Sequence, residues 1–207
     1  MKGERPMTEA LDRRTATPDD LASVTRTIAL AFERDPVWGP AMGAERTTFE
    51  AKASLWRILV AGALRYPWSS IADDGAAVSV WIPPDGVELD EAREQELAAA
   101  IEKGLGPAGA SEFHALVARF DANHRRDEPH AYLSLLATHP EQRGRGLGMA
   151  LLADDLRRID ALHLPAWLES TNPANDRRYQ SVGFEPVGSF RTVDEQRVIS
   201  TMWRPAR

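Results

Sequence analysis

Residues 131–148 read Ala-Tyr-Leu-Ser-Leu-Leu-Ala-Thr-His-Pro-Glu-Gln-Arg-Gly-Arg-Gly-Leu-Gly, and they constrain the fold more than any other stretch of this 207-residue chain. An apolar strand gives way to an arginine-flanked run of glycines. A helical pattern then carries Leu147, Leu151, Leu156, Ile159 and Leu162 on one stripe. Gly144, Gly146 and Gly148 leave backbone N–H groups open at a helix N-terminus, where the helix dipole also favours negative charge. This is an anion-binding turn, and a phosphorylated ligand is the first expectation.

Three kinds of glycine loop bind phosphates after a strand, and the spacing separates them. A P-loop ends in Gly-Lys-Ser/Thr, whereas Met149-Ala150 follow the last glycine here. A dinucleotide fingerprint runs G-x-G-x-x-G directly from the strand; this chain has G-x-G-x-G, set off by His139-Pro140-Glu141-Gln142. Arg143-x-x-Gly146-x-Gly148 instead resembles the Q/R-x-x-G-x-G/A signature of the GNAT superfamily of N-acetyltransferases. A second block is also similar to that family. Trp167-Leu168-Glu169-Ser170-Thr171-Asn172-Pro173-Ala174-Asn175 resembles its fifth strand and the asparagine after it, and Tyr179-Gln180-Ser181-Val182-Gly183-Phe184 its tyrosine-bearing helix. Pro165 through Asn172, with His130-Ala131-Tyr132-Leu133 upstream, looks most like the branch that holds puromycin N-acetyltransferase and its bacterial relatives.

The resemblance implies an acetyl-CoA-dependent enzyme that passes an acetyl group to a primary amine by direct attack in a ternary complex. It places Leu136, Ala137 and Thr138 as the strand backbone for the pantetheine arm; Asn172 and Asn175 are candidates to bond the pantetheine amides or to cap the helix that carries Tyr179. Gly144, Gly146, Leu147, Gly148 and Met149 cradle the pyrophosphate, with charge from Arg143 and Arg145. Tyr179 matches the phenol that protonates the departing thiolate, and Glu169 is the candidate base, directly or through a water. Trp38 and Trp81, each beside a proline turn, and Tyr132 are candidates for the acceptor pocket. The acceptor expected is a small molecule. A protein or peptide amine is the same-class alternative, and a coenzyme A-binding regulatory domain without turnover the alternative of another class.

Composition narrows the rest. A net charge of −6 with no concentrated Lys/Arg patch argues against nucleic acid as a partner. The chain has no cysteine, which removes disulfides, thiolate ligands and an acyl-cysteine route. The five histidines, His114, His124, His130, His139 and His163, show no metal-ligand spacing, so no metal is expected. No apolar run is long enough for a bilayer and residues 1–17 lack a signal-peptide core, so the expectation is a cytoplasmic protein, monomeric or homodimeric.

The elements follow in order. Residues 1–11 read as a mobile tail and 12–207 as one domain. A short strand at 13–17 leads to a helix through Leu21, Val24, Ile28 and Phe32, closed by Asp35-Pro36, with Trp38 in the loop beyond. A second helix at 49–64 precedes strands at 68–72 and 76–82, joined by an Asp73-Asp74-Gly75 turn. Val78, Val80 and Ile82 share one face of the latter. Two helical patterns between Leu89 and Asn123, split at Gly104-Leu105-Gly106-Pro107, form an insertion between the third and fourth strands. Strand, helix, strand, helix and two closing strands at 185–190 and 196–203 complete an α/β fold, with a mixed, mostly antiparallel sheet flanked by helices.

Overall fold

The computed structural model describes residues 12–43 and 46–207; the expected tail at 1–11 lies outside them. Seven strands form one sheet: β1 (Arg13–Thr15), β2 (Ser70–Ala72), β3 (Ala77–Ile82), β4 (Ala131–Thr138), β5 (Ala166–Ser170), β6 (Glu185–Arg191) and β7 (Val198–Arg204). Their spatial order is β1-β2-β3-β4-β5-β7-β6, and every neighbouring pair is antiparallel except β4 and β5. The exception follows from the connection. Between these two strands runs α5 (Leu147–Asp160), the crossover helix that a parallel pair needs.

Helices cover both faces. α1 (Leu21–Phe32), α3 (Phe49–Ala63) and α4 (Glu91–Asn123) pack on one face over Val78, Val80, Ile82, Leu135 and Ala137. On the other, α5 packs Leu152, Leu156 and Ile159 against Trp81, Leu133 and Leu168. All six residues of β3 are buried, so both of its faces are core. The insertion α4 is two helical stretches that meet at Gly106, whose non-helical backbone (φ +68°) is followed by Pro107, as the glycine-proline punctuation requires. Trp38 lies not in a loop but on the short helix α2 (Trp38–Ala41), because the Asp35 carboxylate accepts from the amides of Val37 and Trp38, each at 2.9 Å. α6 (Asp176–Ser181) joins β5 to β6.

Under α5 lies a buried polar centre. Asp155, 2% exposed, accepts from Ser70 Oγ at 2.6 Å, Ser79 Oγ at 2.5 Å and Trp81 Nε1 at 3.0 Å, with Arg13 at 3.5 Å. Burial pushes this carboxyl up, and the Ser70, Ser79, Trp81 and Arg13 contacts draw it back.

Candidate active site

The site begins with a sheet that comes apart. β4 and β5 pair only at Ala131–Ala166 and Tyr132–Trp167, although β4 continues to Thr138 and β5 to Ser170. At the point of divergence β4 carries an extra residue, Ser134, where its register against β3 shifts between Val80 and Trp81. The direction of the free amides follows from the ladder. His139 N donates to Ala76 O, so by alternation the amides of Ala137 and Leu135 face β3, and those of Leu136 and Thr138 face the gap.

At the far end of β4 the glycines have two distinct jobs. Gly144 and Gly146 have φ of +83° and +78°, and the space where a Cβ would stand is open at both. Gly148 is instead a contact glycine, since a Cβ would strike Thr138 Oγ1 and hold α5 away from β4. Gly146 precedes α5 with no side-chain cap, and its carbonyl accepts from Ala150, the first amide satisfied within the helix. The amides of Leu147, Gly148 and Met149 are left for an external acceptor at the positive end of a 14-residue helix.

One cavity of about 1080 Å³ joins this turn to a second chamber. Leu136, Ala137, Thr138, Arg143, Gly144, Gly146, Leu147, Gly148, Met149, Asn172, Asn175 and Tyr179 all line it, so nearly the whole set of expected cofactor residues comes together. Arg145 does not. Its guanidinium turns back to Gln142 Oε1 on the loop. Arg143 faces the cavity while donating to Ala31 O at 3.1 Å, at the end of α1. Asn172 Oδ1 accepts from Ala174 N at 3.1 Å, and Asn175 Oδ1 from Arg178 at 3.2 Å.

Tyr179 stands edge-on to Phe184 at 6.2 Å. Burial, then the Asp176 and Asp35 carboxylates, push its phenol up to about 12, so it holds its proton at neutral pH.

The second chamber has an apolar wall and an acidic end. Trp38 stacks on Phe120 at 5.2 Å and meets Trp56 edge-on, while Val87 and Val117, 56% and 41% exposed, stand in the same cavity. Trp81 is absent from this wall: it is fully buried on the opposite face of the sheet, with its indole N–H on Asp155. Tyr132 is in the chamber, where burial and the Glu169 and Glu88 carboxylates push its phenol far up. Glu169 is at the end of β5 as expected, but its carboxylate is occupied. Oε1 accepts from Trp167 Nε1 at 2.5 Å and meets His124 Nδ1 at 3.0 Å, leaving the side chain 3% exposed. His124 and Glu88 are cavity residues that sequence reasoning passed over. Neither belongs to a local pattern; each acquires its place only through partners about 45 residues away. Among the described residues no group of three or more His, Cys, Asp or Glu is placed to hold a metal ion, and no helix is long and apolar enough to cross a membrane.

Residues 110–186 match the family model described as acetyltransferase (GNAT) domain. Among solved structures, a Corynebacterium glutamicum protein described as histone acetyltransferase HPA2 and related acetyltransferase aligns over 96% of this chain and 97% of its own, at 22% identity and a TM-score of 0.67. The fold is that of the GNAT acetyltransferases. Drosophila melanogaster polyamine N-acetyltransferase aligns over 95% of this chain and 100% of its own, at 16% identity and a TM-score of 0.65. Aedes aegypti arylalkylamine N-acetyltransferase 2 aligns over 96% and 100%, at 15% and 0.67. The matched GNAT segment holds the glycine turn, the parting strands and Tyr179, whereas Trp38, Trp56 and Glu88 fall outside it. The matched segment also holds Phe113, Val117, Phe120, His124, Tyr132 and Glu169 of the second chamber, so the rest of that chamber comes from residues before it.

Proposed function

We propose that the chain is an acetyl-CoA-dependent N-acetyltransferase acting on a small primary amine with an apolar body. One observation carries this reading: a single cavity runs from an uncapped helix N-terminus, past free strand amides, into an apolar chamber ending in carboxylates. The open space over Gly144 and Gly146 and the three free amides of α5 fit a pyrophosphate, with Arg143 beside them. The Leu136 and Thr138 amides are suited to the pantetheine amide and thioester oxygens. When bound, acetyl-CoA supplies an acetyl group activated as a thioester. Tyr179 donates its phenolic proton to the sulfur that departs, a proton that its raised pKa keeps in place at neutral pH. Gly148→Val is expected to raise the Kd for coenzyme A about tenfold or more by isothermal titration, since displacing α5 from β4 costs charge-assisted bonds of about 1.5–3 kcal/mol each.

The acceptor follows from the chamber. An ammonium is drawn to the Glu88 and Glu169 end, while Trp38, Phe120, Val87 and Val117 offer apolar surface to the rest of the molecule, with Glu94 and Asp121 also on the lining. The neighbours' names include polyamine and arylalkylamine acetyltransferases, and the stacked aromatic wall favours the second kind of amine. The likeness of residues 165–172 to the puromycin N-acetyltransferase branch supports the same choice. Thiol release with acetyl-CoA should give a kcat/KM for 2-phenylethylamine at least about tenfold above that for putrescine, and Trp38→Ala should erase the difference. A preference for putrescine would refute the apolar body. Coenzyme A binding without thiol release, across small amines and short peptides, would make the chain a binding domain.

A further inference from the structure

We propose that Glu88 takes the proton from the acceptor's ammonium, and that Glu169 is a positioning residue that holds His124 and Trp167. This rests on the acetyl-transfer reading above and names a residue that its family wording does not reach.

Position comes first. Glu88 Oε1 accepts from Ser134 Oγ at 2.5 Å, and Ser134 is the extra residue of β4, two places past the last pairing with β5. The carboxylate therefore stands at the apex where the strands part, and where an acyl group lying along β4 meets an amine coming from the chamber. The backbone that carries it is fixed. A Cβ on Gly62 would collide with the Glu88 carbonyl oxygen, so only glycine lets α3 pass so near. Arg65 Nη2 donates to Val87 O at 2.9 Å, and the Tyr66 hydroxyl bonds to both Val87 N and Val87 O at 3.2 Å. Glu88 is delivered by a tethered connection, not a loose loop.

Availability separates the two carboxylates. Ser134 is the only hydrogen-bond partner of the Glu88 carboxylate among the described residues, whereas Glu169 is held by an indole N–H and an imidazole. The groups facing Glu88 are Glu169 on β5, His124 at the end of α4, and Tyr132 and Ser134 on β4. Burial, and then the Glu169 charge, push Glu88 up to about 7, against the pull of Ser134 and His124. Two neighbouring carboxylates in unlike surroundings divide their roles: one stays bonded, the other exchanges protons near neutrality.

The ammonium gives one proton to Glu88, which passes it to solvent. The freed amine nitrogen forms a C–N bond to the acetyl carbon and the C–S bond breaks. The nitrogen loses its second proton to water as the sulfur gains one from Tyr179, and water returns a proton to Tyr179, so amide, free thiol and one solvent proton result.

The test compares the unaltered protein with Glu88→Gln and Glu169→Gln, using acetyl-CoA and 2-phenylethylamine from about pH 5 to pH 9. The unaltered protein is expected to gain kcat with pH through an apparent pKa near 7. Glu88→Gln should lower kcat about a hundredfold with little change in KM and lose that acid limb, and Glu169→Gln should keep the limb. A readout without ligands accompanies this. Because the folded protein favours protonated Glu88, its stability from this group is full below about 4.5 and lost as pH rises through about 7, so Glu88→Gln should gain Tm over the unaltered protein across that window. Normal turnover in which Glu88→Gln keeps kcat and the limb, or Glu169→Gln loses the limb instead, overturns the role of Glu88 and leaves acetyl transfer standing. No thiol release by the unaltered protein with any amine overturns both.

Discussion

Tyr179→Phe is expected to lower kcat by about two to three orders of magnitude while leaving the Kd for coenzyme A unchanged. The substitution removes one oxygen and keeps the ring that packs edge-on to Phe184, so the wall of the cavity and the start of β6 stay in place. Under the proposed mechanism, what is lost is the proton source. A phenol held near 12 is fully protonated at neutral pH, so its proton is in place when the C–S bond breaks; passing it to the less basic thiolate is an uphill step that the formation of the amide must drive. Stopped-flow thiol release with calorimetric coenzyme A titration separates the two quantities. A Phe variant that turns over normally would assign Tyr179 to packing alone.

Asp155→Ala is the largest expected loss of stability, about 3–5 kcal/mol, read as a fall in the urea midpoint. Ser70, Ser79 and the Trp81 indole would all lose their shared acceptor beneath α5, and Arg13 and Arg158 would face a site without its anion. Each orphaned buried donor costs about 1–3 kcal/mol. Asp155→Asn keeps one acceptor oxygen and should lose less. A change under about 1 kcal/mol for the alanine variant would mean that water replaces the carboxylate there.

The comparison of residues with structure divides the cavity in two. The glycine turn and α5 were legible because each depends on neighbours in sequence: positive φ at Gly144 and Gly146, and apolar spacing along α5. The acceptor chamber was not, because it is assembled from α2, α3, the β3–α4 connection and α4. Glu88 lies 46 residues from Ser134, and His124 lies 45 from Glu169, so no window contains either pair. Trp81 shows a second limit. In a strand buried on both faces, alternation tells which residues share a side but not which side holds the cavity. Arg145 shows a third: a loop arginine reaches solvent or ligand with equal ease, and here a glutamine three residues earlier holds it.

The insertion between β3 and β4 also bears on how such a protein changes over generations. Phe113, Val117 and Phe120 come from the part of α4 beyond the Gly106 break and His124 follows its last residue, whereas the glycine turn leads into α5 and Tyr179 comes from α6. Replacements along one side of that half-helix re-cut the mould for the acceptor and leave the machinery at the other end of the cleft untouched. Under the proposed acetyl transfer, choice of acceptor and transfer chemistry therefore sit on separate elements, and about three turns of one helix can be rewritten without disturbing the other.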